Sequence, residues 1–208
     1  MVAFAMALSL RGAAPYLLLG AAGVAVLALL RQGTASASEA AGSGLQPGES
    51  VLFVGDSLGV GTASRLGALL PQNPYTSLVH GGWTAKDVLA ALSASDAAGS
   101  VAVVSLGSND AALFAGEGAA VSDLAALLRA RGARRIFWLV PPNFTIASPP
   151  APATRAKQDA FRAIMSNAGA ESIEPGPDVV AQLGQDRIHL APAGYQAFAE
   201  ESLAALSA

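Results

Sequence analysis

Two short stretches of this sequence hold residue types that can pass a proton between them. In Val54-Gly55-Asp56-Ser57-Leu58-Gly59 an apolar run ends in glycine, and a serine follows two residues later, ahead of a helical pattern. A serine so placed presents its hydroxyl at the end of a strand. Its own backbone N–H then lies at a helix N-terminus, where amide donors lack intrahelical acceptors and can face an anion. The hydroxyl is a weak nucleophile until a base takes its proton, and the plain alternative for such a serine is an N-cap. In Asp186-Arg187-Ile188-His189 an acid stands three residues before a histidine. A carboxylate at that spacing can bend back to one imidazole nitrogen, fix the tautomer and stabilise the imidazolium, which leaves the other nitrogen for a serine. The chain has two histidines, His80 and His189, and no cysteine. Cysteine nucleophiles, thiolate metal sites and disulfides are thereby excluded.

Two glycine-bearing turns supply further donors. Gly81-Gly82-Trp83-Thr84 and Gly107-Ser108-Asn109-Asp110 each follow an apolar run. A glycine N–H can approach a ligand closely, and the Asn109 amide is a neutral donor that does not titrate. With the Ser57 N–H they could form a three-donor oxyanion hole. Taken singly, each is an ordinary turn residue. His80 adjoins this turn and reads as a strand-end residue bonded locally, with contact to a substrate as the alternative. Asp56 and Asp110 read as structural carboxylates that bond neighbouring backbone N–H groups. Gly59-Val60-Gly61 resembles part of a dinucleotide-binding turn, but it falls inside the helix, and no carboxylate ends the second strand.

These residues need a scaffold that gathers strand ends. Short apolar runs at 50–54, 75–79, 101–106 and 135–140, with a weaker one at 170–174, read as strands. Helical spacing marks 60–70, 84–92 and a segment around Val121, Leu124, Leu127 and Leu128. It also marks one behind Thr154 (Phe161, Ile164, Met165) and a last one at 191–206. Strands alternating with helices predict an α/β fold with a parallel sheet, whose sites form at the carboxyl ends of the strands. Ser57, Gly82 and Asn109 each fall just after a strand.

The ordered set Gly55-Asp56-Ser57-Leu58, Gly82, Gly107-x-Asn109-Asp110 and Asp186-x-x-His189 resembles the four motif blocks of the GDSL/SGNH hydrolases, over about Val51 to Ser207. The resemblance implies a flavodoxin-like three-layer α/β/α sandwich with a parallel five-stranded sheet, and ester hydrolysis with no cofactor or metal. It implies Ser57, Asp186 and His189 as the triad, and Ser57, Gly82 and Asn109 as the oxyanion hole. Gly82 is preferred to Gly81 because Trp83 and Thr84 follow it in the family's pattern. Trp83, Leu113, Phe114 and Asn143 are expected to border the substrate. The expected substrates are acetylated cell-wall or surface carbohydrate, or small lipid esters. Acyl transfer to a sugar on the same fold, or a non-catalytic carbohydrate- or protein-binding module, are the alternatives.

Composition agrees with a folded domain, and the reading of its N-terminal segment implies that this domain is extracytoplasmic. Of 208 residues 52% are hydrophobic and 13% charged, with a net charge of −3. That balance leans away from disorder and from nucleic-acid binding. The one dense basic run, Arg129, Arg131, Arg134 and Arg135, reads as solvated surface. Residues 12–30 carry no charge between Arg11 and Arg31, long enough to cross a hydrocarbon core. Residues 1–31 therefore read as a signal anchor. A cleaved signal peptide with Ala35-Ser36-Ala37 as its site is the second reading, and a buried helix of the domain the third. Residues 32–48 read as a flexible linker and 49–208 as the domain. The sequence leaves the oligomeric state open.

Overall fold

The structure is a computed structural model that describes residues 44–113, 117–149 and 153–208. Five strands run parallel: β1 (Val51–Gly55), β2 (Tyr75–Val79), β3 (Val101–Ser105), β4 (Arg135–Leu139) and β5 (Glu171–Ile173), in the spatial order β2-β1-β3-β4-β5. The chain leaves β1 for one edge and returns to build the other half, so the order reverses between β1 and β3. Ligands bind at that point in open sheets of this kind. The register sets Gly55 level with both Val79 and Ser105, which brings the carboxyl ends of β1, β2 and β3 to one line.

Side chains alternate across the sheet, and β1 and β3 are apolar nearly throughout because both of their faces are covered. Leu52, Val54, Ala102, Val104, Ile136 and Trp138 point to one side. There they meet α2 (Ala85–Ser93), α4 (Glu117–Ala130) and α5 (Arg155–Asn167). Val51, Phe53, Val101, Val103, Phe137 and Leu139 point to the other, against α1 (Ser57–Ala68) and α7 (Pro192–Leu206). Each fully buried Val, Leu, Ile or Phe in these layers contributes ~1.5–3 kcal/mol. The buried Trp138 also satisfies its indole N–H on the Leu106 carbonyl at 2.8 Å. The result is the three-layer α/β/α sandwich that the family resemblance implied. β5 is short because Glu171 and Ser172 are exposed at the sheet edge.

Three short elements escape the periodicity: α3 (Ser108–Leu113), a 3-10 turn (Pro142–Phe144) and α6 (Pro177–Val180). All are too brief for a helical repeat to show. α1 begins at Ser57 rather than Val60, because the Asp56 carboxylate accepts the Leu58 N–H at 3.0 Å and caps the helix three residues early. Residues 45–49, expected partly as linker, are bonded to the domain. The Leu45 N–H donates to the Leu206 carbonyl at 2.6 Å, and the Asn73 amide donates to the Gln46 and Glu49 carbonyls. The arginine run is engaged: Arg134 pairs with Glu49 and Arg135 with Glu171, while Arg129 and Arg131 hold backbone carbonyls. The expected anchor or signal segment lies outside the described residues. Among the described residues no helix is long and apolar enough to cross a membrane.

Candidate active site

Ser57 is the first residue of α1, directly beyond β1. Its N–H therefore has no acceptor within the helix. The turn before α7 carries the other half. Asp186 Oδ1 accepts the N–H groups of Ile188 and His189, each at 3.0 Å. This wraps the chain tightly enough to force Arg187 to φ +59, a conformation that non-glycine residues rarely adopt and that clusters at functional sites. The wrap leaves Asp186 Oδ2 2.6 Å from His189 Nδ1, and His189 Nε2 2.9 Å from Ser57 Oγ. Three side chains thus form one hydrogen-bonded chain, carboxylate to imidazole to hydroxyl. The His189 bond, helped by the Ile188 N–H, holds the Asp186 carboxyl down at about 2. His189 and Asp186 are both nearly half exposed, at 46% and 49%.

The loop after β2 lies beside the serine: a methyl group on Gly81 would stand 4.0 Å from Ser57 Cβ. His80 to Trp83 form a turn closed by the Trp83 N–H on the His80 carbonyl at 3.4 Å. Gly82 has φ +83 there and Gly81 a negative φ, which makes the turn type II and explains a glycine at its third position. Among the described residues no acceptor takes the Gly82 N–H. The loop after β3 reaches the same place. Gly107 turns the chain at φ +131, packed so closely that a Cβ would press on Phe144, Phe161 and Pro141, each at 3.2 Å. Asn109, in the first turn of α3, donates from Nδ2 to the Trp83 carbonyl at 3.0 Å. An amide nitrogen has two hydrogens, so one donor remains.

Beneath the serine, Asp56 is wholly buried. Burial, with the nearby Asp110 charge, pushes its carboxyl up to about 7. Asp110 is buried too, and its Oδ1 accepts the Ala85 N–H at 2.8 Å, which joins the start of α3 to the start of α2. Both aspartates thus bond neighbouring backbone N–H groups.

The sequence matches the model of the GDSL-like lipase/acylhydrolase family over residues 40–197. The chain belongs to that family. It is accordingly a carboxylic ester hydrolase. Solved structures with the same fold include a lipolytic protein of the G-D-S-L family from Veillonella parvula. That protein is 12% identical, with 74% of this chain and 96% of that one covered at a TM-score of 0.57. An acetyl xylan esterase from Geobacillus stearothermophilus is 18% identical (78% and 96% covered, TM-score 0.57). A GDSL-like lipase from Bacteroides thetaiotaomicron is 15% identical (85% and 96%, TM-score 0.56). Among curated proteins none matches this sequence.

Of the residues expected to border the substrate, Trp83 is half-buried, packed on the core and stacked on His80 with ring centroids 5.4 Å apart. Asn143 departs from expectation. Its exposure is 1%, its Oδ1 accepts from Ser108 Oγ at 3.1 Å, and its carbonyl accepts from Gln158 Nε2 at 3.3 Å. The 3-10 turn after β4 holds it almost wholly beneath the surface of this acylhydrolase. Phe114 and the Leu113 side chain lie outside the described residues. Sequence reasoning missed the Ser108–Asn143–Gln158 network, for which spacing carries no signal. His80, read as a strand-end residue bonded locally, has its Nδ1 2.8 Å from the Gly81 carbonyl oxygen.

Proposed function

We propose that Ser57, His189 and Asp186 are the catalytic triad, and that the Ser57 and Gly82 N–H groups with the Asn109 amide form the oxyanion hole. The observation that carries this reading is the unbroken chain of hydrogen bonds at 2.6 and 2.9 Å from Asp186 through His189 to Ser57. His189 takes the Ser57 proton as the hydroxyl attacks the ester carbonyl. Asp186, kept ionised by its bonds, orients the ring and stabilises the imidazolium. The alcohol leaves with the proton from His189, and water then repeats the sequence on the acyl-enzyme.

The substrate class we infer is a short acyl ester, foremost an acetyl group on a carbohydrate. Support comes from the openness of the site. His189, Asp186, Gly81 and Gly82 are all exposed, which suits an ester presented on a bulky polymer more than a chain that must be buried along most of its length. We place the enzyme outside the cytoplasm, tethered by residues 12–30; the support is the uncharged apolar run itself. The test is turnover of p-nitrophenyl acetate, butyrate and octanoate by the full-length chain. A kcat/KM that falls steadily with chain length supports the short-acyl reading. A maximum at octanoate overturns it in favour of small lipid esters.

A further inference from the structure

His80, the other of the chain's two histidines, takes no part in the proposed triad. It is exposed, yet its ring is fixed at two points: it stacks on Trp83, and its Nδ1 lies 2.8 Å from the Gly81 carbonyl oxygen. A carbonyl only accepts, so Nδ1 carries the proton and donates. The Gly81 carbonyl belongs to the same peptide group as the Gly82 N–H. A trans peptide is planar, with C=O and N–H pointing in opposite directions, so a bond that fixes one end fixes the aim of the other.

The need for such a fixture follows from the turn. The Gly81–Gly82 peptide is the central unit of the type II turn. Rotation of that unit by half a turn converts type II to type I, and two glycines offer little steric resistance to it. A flipped peptide would aim the carbonyl where the N–H had been. It would present an acceptor, instead of a donor, to the position beside Ser57.

We propose that His80 is a positioning residue for catalysis: its Nδ1–H bond to the Gly81 carbonyl locks the Gly81–Gly82 peptide with the Gly82 N–H aimed at the oxyanion. This rests on the reading of Gly82 as an oxyanion donor. The same bond polarises the peptide and strengthens its N–H as a donor. His80 never touches the reacting atoms. Its effect falls on a donor that works in the transition state, so it acts on kcat and leaves KM nearly alone.

Two variants separate the bond from the stacking. His80→Phe keeps an aromatic ring for Trp83 and removes the donor. His80→Asn places an amide N–H near the position of Nδ1 and removes the ring. With p-nitrophenyl acetate and the full-length enzyme, His80→Phe should lower kcat ~10-fold or more, with KM within about 2-fold. His80→Asn should recover to within about 3-fold of the wild type. A His80→Phe enzyme as fast as the wild type, or an Asn variant as slow as the Phe variant, overturns the proposal. A nitrogen–proton correlation spectrum gives a readout that needs no turnover. Neutral His80 should be protonated at Nδ1, and protonation at Nε2 overturns the proposal. Ser57→Ala, run beside them, tests the triad reading separately: turnover that survives it condemns that reading, whatever the His80 spectrum shows.

Discussion

Asn109 Nδ2 donates to the Trp83 carbonyl at 3.0 Å, and this one bond ties the loop after β3 to the loop after β2, next to Gly82. The spare hydrogen on the same nitrogen is the donor assigned to the oxyanion. Asn109→Ala should therefore slow kcat ~100-fold or more, while KM changes little. Steady-state kinetics on p-nitrophenyl acetate check this. A variant that loses only affinity for substrate would place Asn109 outside the oxyanion hole.

Asn143 carries the opposite expectation. It is buried, and it supplies the acceptor for Ser108 Oγ. Asn143→Ala leaves that hydroxyl without its partner and opens a small void, which should destabilise the fold by ~1–3 kcal/mol. KM for small esters should stay within about 2-fold, since the side chain is almost wholly buried and its Oδ1 is engaged by Ser108. Thermal melting and kinetics measured on the same sample separate the two effects. A large rise in KM without loss of stability would return Asn143 to the substrate surface.

The buried carboxyl of Asp56 predicts a pH dependence of stability. Burial raises it from 3.8 to about 7. Between those values the folded protein holds a proton that the unfolded chain has released. The contribution of Asp56 therefore declines as pH rises from about 4, and its full cost is reached above about 7. Asp56→Asn keeps an acceptor for the Leu58 N–H and cannot ionise. The melting temperature of the variant minus that of the wild type should increase from pH 4 to pH 8. A difference that stays constant or shrinks over that range contradicts this account.

The fold was legible because burial writes itself into composition. β1, β3 and β4 are covered on both faces and show as nearly unbroken apolar runs. Helices of nine residues or more show a repeat, and α1 was misplaced by three residues at its start, where a polar cap replaces the periodic signal, and by two at its end. α3 was invisible for the same reason: its first residues, Ser108, Asn109 and Asp110, are typical of turns as well as of helix starts. Of the candidate site, the sequence pointed to the residues that the structure joins: Asp186, His189 and Ser57 in one hydrogen-bonded chain, and Asn109 bonded to the loop that carries Gly82. The site was illegible where a long-range hydrogen bond decides orientation. Asn143 looked like a loop residue near strand ends, and its burial with a side-chain bond to Ser108, 35 positions away, turns it inward. His80 looked ordinary because the bond that gives it a role is made to the backbone of its neighbour.

The central claim is that Ser57 is the nucleophile, and covalent capture tests it most directly. The full-length chain, treated with a fluorophosphonate and weighed by intact-mass spectrometry, should gain one adduct that maps to Ser57. The Ser57→Ala chain should gain none, and His189→Ala should react far more slowly because the base is missing. An adduct on folded Ser57→Ala, or none on folded wild type, would contradict the account.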